Sequence, residues 1–162
     1  MANHQQLKAK NMAEKAAKKI DVTNKKASFE FFFLERYSAG MVLTGTEIKS
    51  IRLNKFSMVD AYCFFINNEL YVKNLNISKY EQGTHYNHEP LRDRKLLLQK
   101  KELKKLVNKL TDKGLTIIPT RLFINDGGLA KLDIALAKGK KLYDKRDSIK
   151  ERDVSRERMR ED

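Results

Sequence analysis

Apolar and polar positions alternate in short runs along most of this chain, and the period is two where the pattern is clearest. Ala130, Leu132, Ile134 and Leu136 alternate with Lys131, Asp133 and Ala135, which predicts a strand with one face in a core and one in water. The run before it, Leu115 to Ile124, is joined to it by Asn125-Asp126-Gly127-Gly128, a hairpin-type turn. Tyr62 to Ile66 and Leu70 to Leu75 form a second hairpin through Asn67-Asn68. Further upstream, Phe29, Phe31 and Phe33 alternate with Glu30 and Phe32, and Met41-Val42-Leu43 follows Ala39-Gly40. Both segments read as strands.

Two segments change to the helical period. Thr44-Gly45-Thr46-Glu47 fits a capping box ahead of Ile48 and Ile51, with hydroxyl and carboxylate each accepting from an otherwise orphaned amide. Leu103, Leu106, Val107 and Leu110 recur at i, i+3, i+4 and i+7 among five lysines, and Lys113-Gly114 ends the pattern. Roughly six strands with a helix inserted late in the order predict a mainly β domain, a small closed antiparallel barrel with short helices.

Both ends depart from this pattern. Residues 1–23 are rich in Ala and Lys with no apolar face and read as a basic arm; 24–138 form the barrel; 139–162 form a charged tail. Sixteen of the 24 tail residues are charged. Leu142, Tyr143, Ile149, Val154 and Met159 fall on no helical stripe, so a tail helix would bury nothing on its own. Opposite-charge pairs at i,i+3 favour a helix and like-charge pairs at i,i+4 oppose it, each by a few tenths of a kcal/mol. The expectation is a tail that is disordered, or helical once a partner supplies its environment.

Charge bears on the partner. The 162 residues carry a formal net charge of +13, which points to a polyanion. No run nears the ~18 apolar residues of a membrane span, and the lone Cys63 has no disulfide partner; a cytoplasmic protein with no membrane partner is expected. Basic clusters at Asn24-Lys25-Lys26, Arg92-Asp93-Arg94-Lys95 and Lys138-Gly139-Lys140-Lys141, with Tyr80, Tyr86 and Tyr143 nearby, suit phosphate neutralisation and base stacking. The residues best placed for an enzyme are His85, His88 and Glu89 with Asp93. They lie in a loop without the rigid spacing of a zinc-protease helix, so they read as solvated loop histidines. No phosphate-cradling loop or nucleophile elbow is present, and no cofactor, metal site or catalytic residue is expected. Glu47 has a capping role that competes with any contact to RNA.

Four segments, in order, resemble the signature of the small protein B (SmpB) family, the SsrA-binding proteins of bacteria. They are Gly45-Thr46-Glu47-Ile48-Lys49-Ser50, Ile77-Ser78-Lys79-Tyr80-Glu81-Gln82-Gly83, Arg94-Lys95-Leu96-Leu97-Leu98 and Ala137 to Arg146. The resemblance implies an oligonucleotide-binding (OB) fold that holds the tRNA-like part of transfer-messenger RNA (tmRNA). It also implies delivery of that RNA to stalled ribosomes for trans-translation, with elongation factor Tu in the same complex and no catalysis by the protein. It assigns tmRNA contact to Asn24, Lys25, Lys26, Glu47, Lys49, Arg94, Lys95 and Leu97. The decoding centre and mRNA channel of the small ribosomal subunit fall to Lys140, Lys141, Tyr143, Asp144, Lys145, Arg146, Lys150 and Arg152. Two positions depart from the family pattern: Ser38 stands where Glu is common, and Gln99 where His or Asn is common. The competing reading is another OB-fold, ribosome-associated factor that binds a different structured RNA.

Overall fold

The computed structural model describes residues 20–83, 85–112 and 114–161. In chain order the elements are β1 (Asp21–Thr23), α1 (Lys25–Glu30), β2 (Phe31–Met41), α2 (Gly45–Arg52), β3 (Phe56–Ser57), β4 (Tyr62–Ile66) and β5 (Glu69–Lys73). Then follow β6 (Asn76–Ile77), β7 (Arg94–Leu97), α3 (Lys100–Lys109), β8 (Leu115–Ile124), β9 (Ala130–Gly139) and α4 (Leu142–Glu161). Six strands pair antiparallel into a closed ring, β8-β4-β5-β7-β2-β9 and back to β8. A ring has no free edge to aggregate, so it can carry short strands such as β7 safely. β4 meets β8 only at Cys63 and Ile117, and β1 takes the other end of that edge, pairing Asp21 with Phe123. The sheet therefore includes residues that the sequence assigns to the arm.

Both predicted hairpins form. Asn67 and Asn68 sit at φ 50° and 63°, the left-handed pair that a two-residue turn between twisted strands needs and that Asn tolerates best. Leu122, Leu132, Ile134, Leu136, Ile117, Leu70 and Val72 fill the interior and are fully buried or nearly so. The face of β9 expected in water is partly covered, because Ala135 and Ala137 are buried too. Ala27 of α1 packs there with Ile118 and Ala137, and Phe31 and Phe33 close over them.

The first predicted strand needs correction. Phe29 and Glu30 belong to α1, while Phe31 through Met41 form one continuous strand where the sequence suggests two. The reason is Asn24. Its backbone N–H donates to Thr120 O (2.8 Å) at the bulge of β8, and its amide donates to Pro119 O (2.9 Å) and Met58 O (3.3 Å). Its side-chain oxygen accepts from Ala27 N at 3.2 Å, capping the turn that follows. Tertiary anchoring starts a helix where local alternation favours a strand. Asn24→Ala is expected to lose about 3 kcal/mol of stability, the sum of a cap and two buried hydrogen bonds. Urea unfolding midpoints check this; an unchanged midpoint contradicts the anchoring account.

The tail from Leu142 to Glu161 is a single helix. Asp144 accepts from Lys141 N at 3.2 Å and so caps its first turn. The exposed Ile149, Val154 and Met159 bear out the absence of a buried stripe. Polar and cationic groups tie the helix and its approach to α1. Lys140 donates to Ser148 Oγ (3.0 Å) and to Ser28 O (3.3 Å), and the Arg152 guanidinium lies 4.9 Å from the Phe29 ring centre. Such cation–π contacts at exposed positions stabilise by roughly 0.5–1 kcal/mol.

Candidate nucleic-acid interface

The capping box of α2 forms as the sequence predicts, and its acid does more than cap. Glu47 Oε1 accepts from Thr44 N at 2.9 Å and from Arg92 Nη2 at 2.5 Å, and Oε2 accepts from Arg94 Nε. Arg94 spends its other nitrogens on backbone carbonyls, Leu75 O at 2.5 Å, Pro90 O at 3.1 Å and Glu89 O at 3.3 Å. Both Glu47 and Arg94 are fully buried. Burial pushes the Glu47 carboxyl up, but hydrogen bonds from Arg92, the Thr44 amide and Arg94 outweigh it, so the group stays below the usual carboxylate range. Burial pulls the Arg94 guanidinium down, and Glu47 opposes that shift. The pair stitches α2 to β7 and to the long connection between β6 and β7. Neither side chain offers surface to a ligand.

His88 strengthens the same seam. It is buried, not the solvated loop residue that its position suggests, whereas His85 is exposed. Its Nε2 lies 2.8 Å from Ile77 O, which only accepts, so Nε2 carries the proton and Nδ1 accepts from the Thr46 hydroxyl at 2.9 Å. Both ring nitrogens are thereby engaged by the protein itself.

The other tmRNA candidates fall into two groups. On α1, directly after the buried Asn24, Lys25 and Lys26 are exposed, and Lys26 pairs with Asp60 at 3.0 Å. Around α2 and β7, Lys49 is exposed with its ammonium 5.4 Å from the Tyr80 ring centre. Lys95 pairs with Glu69 at 2.9 Å. Leu97 is exposed and lies opposite Gly40 in register, with Lys131 on the far side of Gly40. A side chain at Gly40 would meet Leu97 at 3.4 Å, so glycine leaves this row of the surface flat. Ser38 is exposed on the same strand and faces Asp133 across β9.

The tail candidates share one helix and its approach. Lys140 is held against α1, Lys141 and Asp144 form the helix start, and the Tyr143 ring is exposed, as are Arg146, Lys150 and Arg152. Lys145 is half-buried.

Arg92, which the sequence places in a phosphate-binding basic cluster, instead joins the Glu47 node. The alternation in Arg94-Lys95-Leu96-Leu97 was the available signal for orientation: odd and even positions of β7 face opposite ways, and Leu96 is buried with Arg94. Arg121 is the residue that sequence reasoning missed. It holds Asp21 of β1 through two contacts of 2.7 Å, reaches Asp133 at 3.4 Å and stacks 4.1 Å from the Phe123 ring centre. Asp21 lies a hundred residues away in sequence, and no local pattern joins the two.

Among the described residues no group of His, Cys, Asp and Glu is arranged to hold a metal ion, and no helix is long and apolar enough to cross a membrane. The family described as SmpB protein matches residues 21–162. An SsrA-binding protein of Cytophaga hutchinsonii is 62% identical over 88% of this chain and 94% of its own length. One from Phocaeicola vulgatus is 59% identical over 85% of this chain and 92% of its own length. A solved chain described under "tmRNA-SmpB: a journey to the center of the bacterial ribosome" superposes with a TM-score of 0.66 at 40% identity, covering 80% of this chain and 94% of that one. With the OB-like ring, the capped α2 and the tail helix in place, the chain belongs to the SmpB family.

Proposed function

We propose that this chain is a non-enzymatic adaptor that binds tmRNA and delivers it to stalled ribosomes for trans-translation in the bacterial cytoplasm. The observation that carries this reading is the near full-length identity to SsrA-binding proteins. The solved counterpart, described with tmRNA and the bacterial ribosome, supports it. The barrel holds the tRNA-like domain through Lys25, Lys26, Lys49, Lys95 and Leu97, while Asn24, Glu47 and Arg94 fix the backbone that presents them. The tail acts at the decoding centre and mRNA channel of the small subunit through Lys140, Lys141, Tyr143, Asp144, Lys145, Arg146, Lys150 and Arg152. Elongation factor Tu takes part through the same complex.

A helix with no apolar stripe suits that task. Its exposed surface is mostly charge, with the Tyr143 ring and three scattered apolar side chains that form no stripe, so its natural surroundings are RNA phosphates and bases rather than a protein core. Reconstituted translation of an mRNA lacking a stop codon tests the proposal: tagging of the stalled peptide requires this chain together with tmRNA. Tagging without the chain contradicts it.

Electrostatics supply a finer check. Affinity for tmRNA is expected to fall linearly on a log–log plot against salt, and Lys25→Ala and Lys49→Ala each to lower the slope by about one. An unchanged slope in both variants means these lysines do not meet phosphates.

A further inference from the structure

The outer face of β4 and β5 carries aromatic rings that neither the core nor the contacts above use. In β4, Cys63 and Phe65 face the interior, so Tyr62 and Phe64 face out; in β5, Leu70 and Val72 are buried, so Tyr71 and Lys73 face out. Register places Phe64 opposite Tyr71, and Tyr71 opposite Lys95 of β7. The rings brace one another. Phe64 and Tyr71 stack with centroids 6.0 Å apart and planes 29° apart, and Tyr62 tilts against Phe64 at 6.3 Å and 52°. Beyond Tyr62 a cleft continues toward α1, lined by Asn24, Asp60 and Ala61, beside the Lys26–Asp60 pair. The strip thus runs from α1 to β7 and links the two groups of candidate RNA-binding residues.

We infer that this strip is a stacking platform for unpaired RNA nucleotides, a deepening that rests on the RNA-binding reading above. Every base has a π face, and a row of braced rings offers successive stacking positions without choosing among sequences. The rings, rather than the charges, separate single strand from duplex. Lys26 and Lys95 each share a carboxylate, Asp60 and Glu69, and Glu69 also accepts from the Tyr71 hydroxyl at 3.3 Å. A duplex hides its base faces and so gains nothing from the rings. An unpaired strand gains from the rings, while Lys73 and the lysine members of the pairs meet its backbone. Aromatic pairs across strands also stabilise a sheet, so the test separates stacking from packing.

The test uses the full-length protein and a fluorescein-labelled oligouridylate of about ten nucleotides, within the site sizes usual for OB folds. The double variant Phe64→Leu with Tyr71→Leu keeps apolar side chains but removes the rings. It is expected to bind the single strand about tenfold or more weakly, with affinity for a duplex of the same length unchanged. A 4-thiouridine oligonucleotide is expected to crosslink to peptides containing Tyr62, Phe64 or Tyr71. Equal single-strand binding by variant and wild type, no single-strand binding by wild type, or crosslinks confined elsewhere overturns the platform. Failure of the wild type to bind intact tmRNA overturns instead the reading on which it rests.

Discussion

Replacing Tyr143, Asp144 and Lys145 together by alanine is expected to abolish tagging of peptides on stalled ribosomes while changing tmRNA affinity by about twofold at most, under half a kcal/mol. The division follows from position. All three residues start α4, after the last barrel strand has ended, and the barrel candidates lie on α1, α2 and β7. Asp144 has a structural duty as well, since it caps the helix at the Lys141 amide. Its loss alone frays the first turn by roughly 1 kcal/mol. Single variants separate the two effects: Asp144→Asn keeps a capping oxygen, and Tyr143→Phe keeps the ring. If capping is the only contribution of Asp144, Asp144→Asn tags like wild type. If the Tyr143 ring stacks on a base, Tyr143→Phe retains most activity and Tyr143→Ala does not. Equal loss of tmRNA binding and of tagging in the triple variant removes the separation between barrel and tail.

Arg94→Met is expected to destabilise the fold by about 3 kcal/mol, the lower end for breaking a buried ion pair, because Arg92 and the Thr44 amide still serve Glu47. For a chain of this size that lowers Tm by roughly 10 °C. The carbonyls of Leu75 and Pro90 also lose a donor. Acid sensitivity has a sign that follows from the same node. The folded-state carboxyl of Glu47 titrates below its unfolded value. Its contribution is therefore present above the unfolded carboxylate pKa, about 4.3, and is lost as pH falls from there through the folded value. Glu35, held down to about 2 by Lys109 and Tyr37, adds a loss of the same sign. The wild type should therefore lose stability on acidification below about pH 4, and Glu47→Gln should lose less over that interval although it starts lower. Parallel stability profiles for the two proteins mean that Glu47 is not held as an anion.

The strands with strict alternation and the two hairpins were legible because their determinants lie within a few residues: Leu132, Ile134 and Leu136 on one face, Asn67-Asn68 in one turn. The capping box was legible for the same reason. What escaped local reading depends on distant partners. Phe29 is helical because Asn24 is fixed at the β8 bulge, and β1, β3 and β6 are two or three residues long, too short to show a period. Glu47 and Arg94, read as RNA contacts, meet each other across 47 residues. A charged pair of that separation looks like surface charge until the fold buries it. The sequence of the tail offers no apolar stripe, and Ile149, Val154 and Met159 of its helix are exposed. The contacts that hold it to α1, Lys140 to Ser28 and Arg152 to Phe29, use residue types that carry no pattern.

The central claim is that the barrel selects one RNA and the tail does not. The direct measurement is to recover the full chain, and the Tyr143-Asp144-Lys145 alanine variant, from bacterial cells and sequence the RNA retained by each. One dominant tmRNA in both samples is the predicted result. A broad mixture of structured RNAs, or loss of tmRNA from the tail variant, contradicts the account.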